Sequence, residues 1–118
     1  MHVDVTDLRE FYATALGQVV RRVLTQRVRT HWRSVSGQTL IGFGYACPYL
    51  GHYRGEAARL GAFMPEGQGA IVWPRQGSVR TVLVEEDHLP VPDNSIDRLL
   101  VVHALEVATR PGPMLREF

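Results

Sequence analysis

The chain has 118 residues, of which 45% are hydrophobic and 21% charged, and its formal net charge is +1. This length predicts one small domain with a single core, and the composition excludes a disordered tail and an integral membrane protein. The apolar runs are too short to cross a bilayer, and residues 1–10 are too charged for a secretory signal, so we expect a cytoplasmic protein.

The cysteine and histidine content argues against a metal site. Cys47 is the only cysteine, which excludes an internal disulfide and a cluster of thiolate ligands. The five histidines lack the three- or four-residue spacing that places two metal ligands on one helical face. We therefore predict that the protein holds no metal.

Residues 7–33 carry apolar side chains at three- and four-residue spacing, which predicts a helix with an apolar face against the core. Asp7 and Glu10 are placed as a capping box, and Gly17 is a candidate point of division. The arginines fill the opposite face, which we interpret as solvated. No base-reading module accompanies them, so we do not expect nucleic-acid binding.

The segment 37–51 reads GQTLIGFGYACPYLG and predicts a strand that runs into a tight turn. Thr39–Phe43 is β-prone, glycines follow, and Pro48 suits the first turn of a helix because its missing N–H costs nothing there. Gly51 and Gly55 weaken helical structure, so we expect that helix to be short or irregular.

Three further strands are predicted along the rest of the chain. Residues 59–64 and 81–84 are short apolar runs, and residues 96–103 form a longer run typical of a buried strand. The glycine-rich segment 66–78 predicts a loop or a short extra strand, and residues 113–118 predict a helix. Nearly continuous apolar strands separated by helices or loops predict a parallel α/β sheet covered on both faces.

The last third of the chain contains EEDHLPVPDNSIDRLLVVHALE, followed by RPGPMLREF. This segment resembles class I, type 11 S-adenosylmethionine-dependent methyltransferases, whose pattern there is D-A-x-x-L-P-F-P-D-x-S-F-D, an apolar strand ending in L-E, and a helix ending in L-R-E. The matching positions are Leu89, Pro90, Pro92, Asp93, Ser95, Asp97, Leu105, Glu106, Leu115, Arg116 and Glu117. The resemblance extends back over residues 39–48 and 59–65, and the N-terminal helix looks like the leading helix of a bacterial subgroup.

The resemblance implies a Rossmann-like, mostly parallel sheet, of which this chain holds about four strands. Residues 1–118 then form one domain, with an N-terminal helical segment over 1–36 and a Rossmann-like part over 37–118. S-adenosylmethionine is the implied small-molecule cofactor, bound at the carboxyl ends of the strands. Its implied contacts are Gly42, Phe43, Gly44, Tyr45 and Ala46 in the glycine loop, Met64 at the ribose, and Glu85 with Glu86 at the adenine.

Several matched positions depart from the family pattern. Gly42 stands in place of the loop acid, and Ala46 and Pro48 stand in place of two glycines. Met64 replaces the ribose-binding acid, so we prefer the interpretation that it packs in the core, with Glu66 as a substitute acid.

The roles of Tyr45 and His103 stay open. Tyr45 either stacks on a ligand or fills the space left by the altered loop. His103 follows the fourth strand, near the implied place of the methyl acceptor, and is either a general base or a hydrogen-bonded structural residue.

Family members continue beyond L-R-E with three more strands. We therefore expect a fragment, self-association through the exposed edge of the fourth strand, or a sheet completed by something else. Two functions stay open on these residues: a methyltransferase with an unknown acceptor, or an inactive methyltransferase-like module that serves binding or assembly.

Overall fold

The computed structural model describes residues 4–66, 68–69, 73, 81–92, 94–104, 108 and 110–118. The helices are α1 (Val5–Ala13), α2 (Ala15–His31), α3 (Cys47–Leu50) and α4 (Pro111–Glu117), and a short 3-10 helix spans Gly51–Tyr53. The strands are β1 (Thr39–Gly44), β2 (Arg59–Pro65), β3 (Thr81–Val84) and β4 (Arg98–Val102). No helix in these ranges is long and apolar enough to span a bilayer.

The four strands form one parallel sheet in the order β3-β2-β1-β4. Gly42 of β1 pairs with Ala62 of β2 on one side and with Leu100 of β4 on the other. The predicted fold class is therefore confirmed: an α/β, Rossmann-like parallel sheet of four strands with an N-terminal helical segment. Strand order reverses between β1 and β4, which makes their carboxyl ends the topological switch point of the sheet.

Side chains of β1 alternate between two apolar clusters, one on each face of the sheet. Leu40 packs with α1, α3 and the β2 residues Ala62 and Met64. Ile41 and Phe43 point to the opposite face, where they pack near α4. β1 is buried along most of its length because it is a central strand with neighbours on both sides.

The N-terminal helical segment divides at Thr14, three residues before the predicted point. Thr14 is extended, and its side chain accepts a hydrogen bond from the Gly17 amide at the start of α2. Gly17 is needed at this elbow because a Cβ there would lie 2.0 Å from the carbonyl oxygen of Phe11. The predicted capping box at Asp7 is wrong, because Asp4 caps α1 by accepting from the Thr6 amide.

Most of the side of α2 that the sequence predicts to pack against the core faces solvent instead. Leu16, Val19 and Val23 are 65%, 50% and 49% exposed. The side that faces the body is mixed: Val20 and Val28 are half-buried against the core. On the same helix, Arg29 forms an ion pair of 3.0 Å with Glu56 and lies over the ring of Tyr53. The elbow at Thr14 sets this orientation of α2 relative to the sheet and α3.

β4 is less buried than the sequence predicts for residues 96–103. It spans Arg98–Val102, its residues are half-buried, and Val101 is exposed. The reason is its place at the end of the described sheet, with β1 beside it on one edge. Residues 67, 70–72 and 74–78 of the predicted loop lie outside the described residues.

Candidate functional site

The turn after β1 holds the carboxyl ends of β1 and β4 close together at the switch point. Gly44 has φ of +88°, and a Cβ on it would lie 2.1 Å from the carbonyl oxygen of Val102 in β4. The Tyr45 amide donates to the same oxygen at 2.8 Å. Glycine is therefore required here for its backbone conformation and for the close approach of β1 to β4.

The structure leaves no room for a side chain at Gly42, the position at which the methyltransferase pattern has an acid. A Cβ at Gly42 would lie 2.6 Å from the Ala46 Cβ and 2.8 Å from Leu50 Cδ1, so a carboxylate would collide with α3. Ala46 has φ of −92°, which suits any residue, and the glycine of the family pattern is not needed there. Pro48 lies in the first turn of α3, as predicted.

Two of the implied cofactor contacts lie in the apolar core. The Phe43 side chain is fully buried, and its ring centroid lies 4.9 Å from that of Phe118. Met64 is fully buried on the other face of the sheet, where it packs near α1 and α3. Glu66, the candidate substitute acid, is exposed directly beyond β2, and its amide donates to the Val84 carbonyl.

The acidic turn after β3 is a charged network. Glu86 Oε1 accepts from the Arg110 amide, and Asp87 binds the Arg110 guanidinium at 3.1 Å. His88 Nδ1 lies 3.1 Å from Asp87 and 3.5 Å from Glu85, and the hydrogen bond with His88 is the main cause that lowers the pKa of Asp87. Ligand-type atoms of Glu85, Asp87 and His88 lie within 4.8 Å of one another, a grouping that a search for helical histidine spacing does not find.

A buried chain of hydrogen bonds crosses the switch point. The Tyr12 hydroxyl oxygen lies 2.7 Å from the Tyr49 hydroxyl oxygen and 2.9 Å from Nε2 of His103. His103 has φ of +53°, an uncommon conformation for a residue with a side chain. By its spacing in the sequence Tyr12 is an apolar core position, and no local pattern relates it to a histidine near the other end of the chain.

Burial favours the neutral forms of the tyrosines in this cluster. The rings of Tyr12 and Tyr45 are stacked with centroids 5.8 Å apart. Desolvation raises the pKa of Tyr12, Tyr45 and Tyr49, and the hydrogen bond with Tyr49 raises that of Tyr12 further. Burial raises the pKa of Cys47 to about 12, so this thiol is unreactive.

Gln68, in the turn after β2, links α1 to the residue that follows β4. Its backbone carbonyl accepts from the Val5 amide at 2.8 Å, and its Nε2 donates to the His103 carbonyl at 2.7 Å. The side chain is buried, and its Oε1 has no hydrogen-bond partner within the described ranges. The contacts of Gln68 and Tyr12 hold α1 over the carboxyl ends of the strands.

Beside this cluster lies a cleft of about 590 Å³, a size typical of small-molecule sites. Tyr12, Tyr45 and Trp73 supply aromatic surface, and Arg9 and Arg21 supply positive charge. The other lining residues are Ala13, Cys47, Pro48, Gly51 and His52. None of the described residues that line the cleft is acidic, so it suits a ligand with an anionic group and surfaces that stack on aromatic rings.

The matched residues of the methyltransferase pattern have structural roles in the fold. Asp97 Oδ2 accepts from the Thr39 amide at 2.8 Å and so fixes the start of β1. Ser95 Oγ donates to the Pro92 carbonyl, which closes a turn. Asp93, Leu105 and Glu106 lie outside the described residues. Where it is described, the match therefore supports the fold more directly than the chemistry.

Comparison with known proteins adds no relative: no protein-family model matches the chain, and no match is found among curated proteins or solved structures. The functional assignment therefore depends on the residues quoted from the sequence and on the geometry of the switch point.

Proposed function

We propose that the chain is an S-adenosylmethionine-dependent methyltransferase domain, or part of one, acting on an acceptor still to be identified. The proposal is supported mainly by the position of the site within the fold. A ligand-sized cleft and a tyrosine–histidine cluster lie beside the carboxyl ends of β1 and β4, where open α/β sheets bind their ligands.

The cleft residues suit this cofactor by their chemistry. Arg9 would pair with the carboxylate of the methionine part. Trp73 offers a surface on which the adenine stacks. When bound, S-adenosylmethionine supplies an activated methyl group, so the protein mainly positions the acceptor.

The buried hydrogen-bond chain supplies a route for a proton. With His103 in the tautomer that leaves Nε2 unprotonated, the Tyr12 hydroxyl donates to Nε2 and accepts at its oxygen. A proton from the acceptor would pass to Tyr12 while the Tyr12 proton passes to His103. In this proposal Tyr12 contacts the acceptor and His103 is the terminal base.

One observation favours the alternative, an inactive methyltransferase-like module for binding or assembly. Tyr45, Ala46 and Met64, at positions implied to contact the cofactor, are almost fully buried against protein. A module that had lost its cofactor and kept the fold would fill these positions in this way.

Calorimetric titration with S-adenosylmethionine and S-adenosylhomocysteine separates the two functions. The proposal predicts saturable binding, weakened about tenfold by Arg9→Gln because a charge-assisted hydrogen bond is lost. Arg33→Gln, an exposed arginine that does not line the cleft, is the control and should bind as the wild type does. Absence of binding at millimolar ligand by folded protein would contradict the proposal and favour the inactive module.

A further inference from the structure

A second cleft, of about 440 Å³, lies on the polar side of α2. Its lining residues are Tyr12, Gln18, Arg21, Arg22, Thr25, Gln26 and His52. Tyr12, Arg21 and His52 also line the first cleft, so the two cavities share a wall. Arg22 lines the second cleft alone and Arg9 the first alone, which makes the two cavities separable by substitution.

The second cleft carries positive charge that no described acidic residue balances. No acidic residue occurs in the sequence between Glu10 and Glu56, and none of the described residues that line the cleft is acidic. Arg21 and Arg22 form no ion pair with any residue the structure describes, whereas Arg29 on the same helix pairs with Glu56. Two adjacent guanidinium groups beside a small cavity favour an anion.

Thr25 lines the same cavity on the same side of α2. Gln18, Arg21, Arg22 and Thr25 follow each other at the spacing of one helical side, so their polar groups converge on one cavity.

We propose that the second cleft binds the phosphate or carboxylate group of the methyl acceptor, which is therefore an anionic small molecule. Arginine recognises both groups through paired N–H donors, and the volume of the cleft fits a small molecule. This inference rests on the proposed function, because the acceptor must lie beside the cofactor. The shared wall at Tyr12 brings the two clefts together and adjoins the proton route to His103.

Titration with inorganic phosphate and with succinate tests the inference, and the two arms distinguish a phosphate site from a carboxylate site. We expect saturable binding of at least one, monitored by calorimetry or by the amide signals of α2. Arg22→Gln should weaken binding about tenfold or more, and Arg22→Lys should weaken it less because the charge is kept. The control is Arg27→Gln, on an exposed arginine of α2 that does not line the cleft, with an expected change below about twofold.

Equal effects of Arg22→Gln and Arg27→Gln, or no saturable binding of either anion, would overturn the inference. Circular dichroism confirms that each variant is folded. Binding of S-adenosylhomocysteine is measured in parallel and should be unchanged in Arg22→Gln, because Arg22 does not line the first cleft. If the cofactor binds but neither anion does, the inference is overturned and the proposed function is not. Anion binding without cofactor binding supports an anion site but overturns its assignment to a methyl acceptor.

Discussion

The Tyr12 hydroxyl oxygen lies 2.9 Å from Nε2 of His103, a residue 91 positions away in the sequence. This contact joins α1 to the carboxyl end of β4, and a second contact of 2.7 Å joins it to Tyr49 of α3. The N-terminal helix is therefore part of the switch point, and the state of the Tyr12 hydroxyl affects both the stability of the fold and the proposed proton route.

Removal of that hydroxyl should destabilise the protein. Tyr12→Phe keeps the ring that stacks on Tyr45 but leaves the buried Tyr49 hydroxyl and His103 without this partner. We expect the free energy of unfolding to fall by about 1–3 kcal/mol. Urea unfolding measures it, and a variant as stable as the wild type would show that the buried chain does not contribute to the fold.

Gly44 should tolerate alanine far less than another glycine with a similar backbone. Both Gly44 and Gly55 have positive φ, but a Cβ at Gly44 meets the Val102 carbonyl, whereas a Cβ at Gly55 meets nothing within 4 Å. We expect Gly44→Ala to cost about 3 kcal/mol or more and Gly55→Ala about 1–2 kcal/mol. Denaturant unfolding of the two variants gives the comparison, and equal costs would contradict the close approach of β1 to β4.

The clustered tyrosines should ionise late in an alkaline titration. The pKa values of Tyr12, Tyr45 and Tyr49 are raised, mainly by burial, so the folded state favours their neutral forms. Their contribution to stability is complete below the ordinary tyrosine pKa of 10.0 and is lost as the pH rises through the raised values. Tyrosinate absorbance should therefore lag behind that of the urea-unfolded protein, and coincident curves would contradict the burial of the cluster.

The apolar residues of α2 should matter less than those of α1. Leu8 is buried and Leu16 is 65% exposed, although the sequence pattern places both on one apolar face. We expect Leu8→Ala to lower the free energy of unfolding by about 2–5 kcal/mol and Leu16→Ala by less than about 1 kcal/mol. Thermal unfolding distinguishes the two. A large effect at Leu16 would mean that α2 packs through its apolar side after all.

The strands could be predicted because their apolar runs are short, nearly continuous and bounded by glycine or proline. Which side of α2 packs against the rest of the protein could not be predicted. Periodicity identifies which residues share a side of a helix, but the elbow at Thr14 and the ion pair of Arg29 with Glu56 decide which side packs. The sequence does not reveal the division at Thr14, because Gly17 has the pattern of a helix breaker, whereas in the fold it is the small residue that the elbow needs.

The candidate site was predictable only in part. The glycine turn at Gly44 and the acids after β3 are visible as local patterns, and residues 89–97 are visible as a motif. Contacts such as Tyr12 with His103 depend on tertiary structure, because helix and strand bring together residues from opposite ends of the chain. The sequence shows that Gly42 differs from the acid of the methyltransferase pattern, but it does not show that a side chain at this position would meet Leu50.

The most direct test of the account is cofactor binding reported by Trp73. The sequence contains two tryptophans, so Trp32→Phe leaves Trp73, which lines the first cleft, as the sole tryptophan reporter. We predict a saturable change in its fluorescence on titration with S-adenosylhomocysteine, reduced by the further substitution Arg9→Gln. Fluorescence that stays constant up to millimolar ligand, in protein that is folded by circular dichroism, would contradict a cofactor site at the switch point.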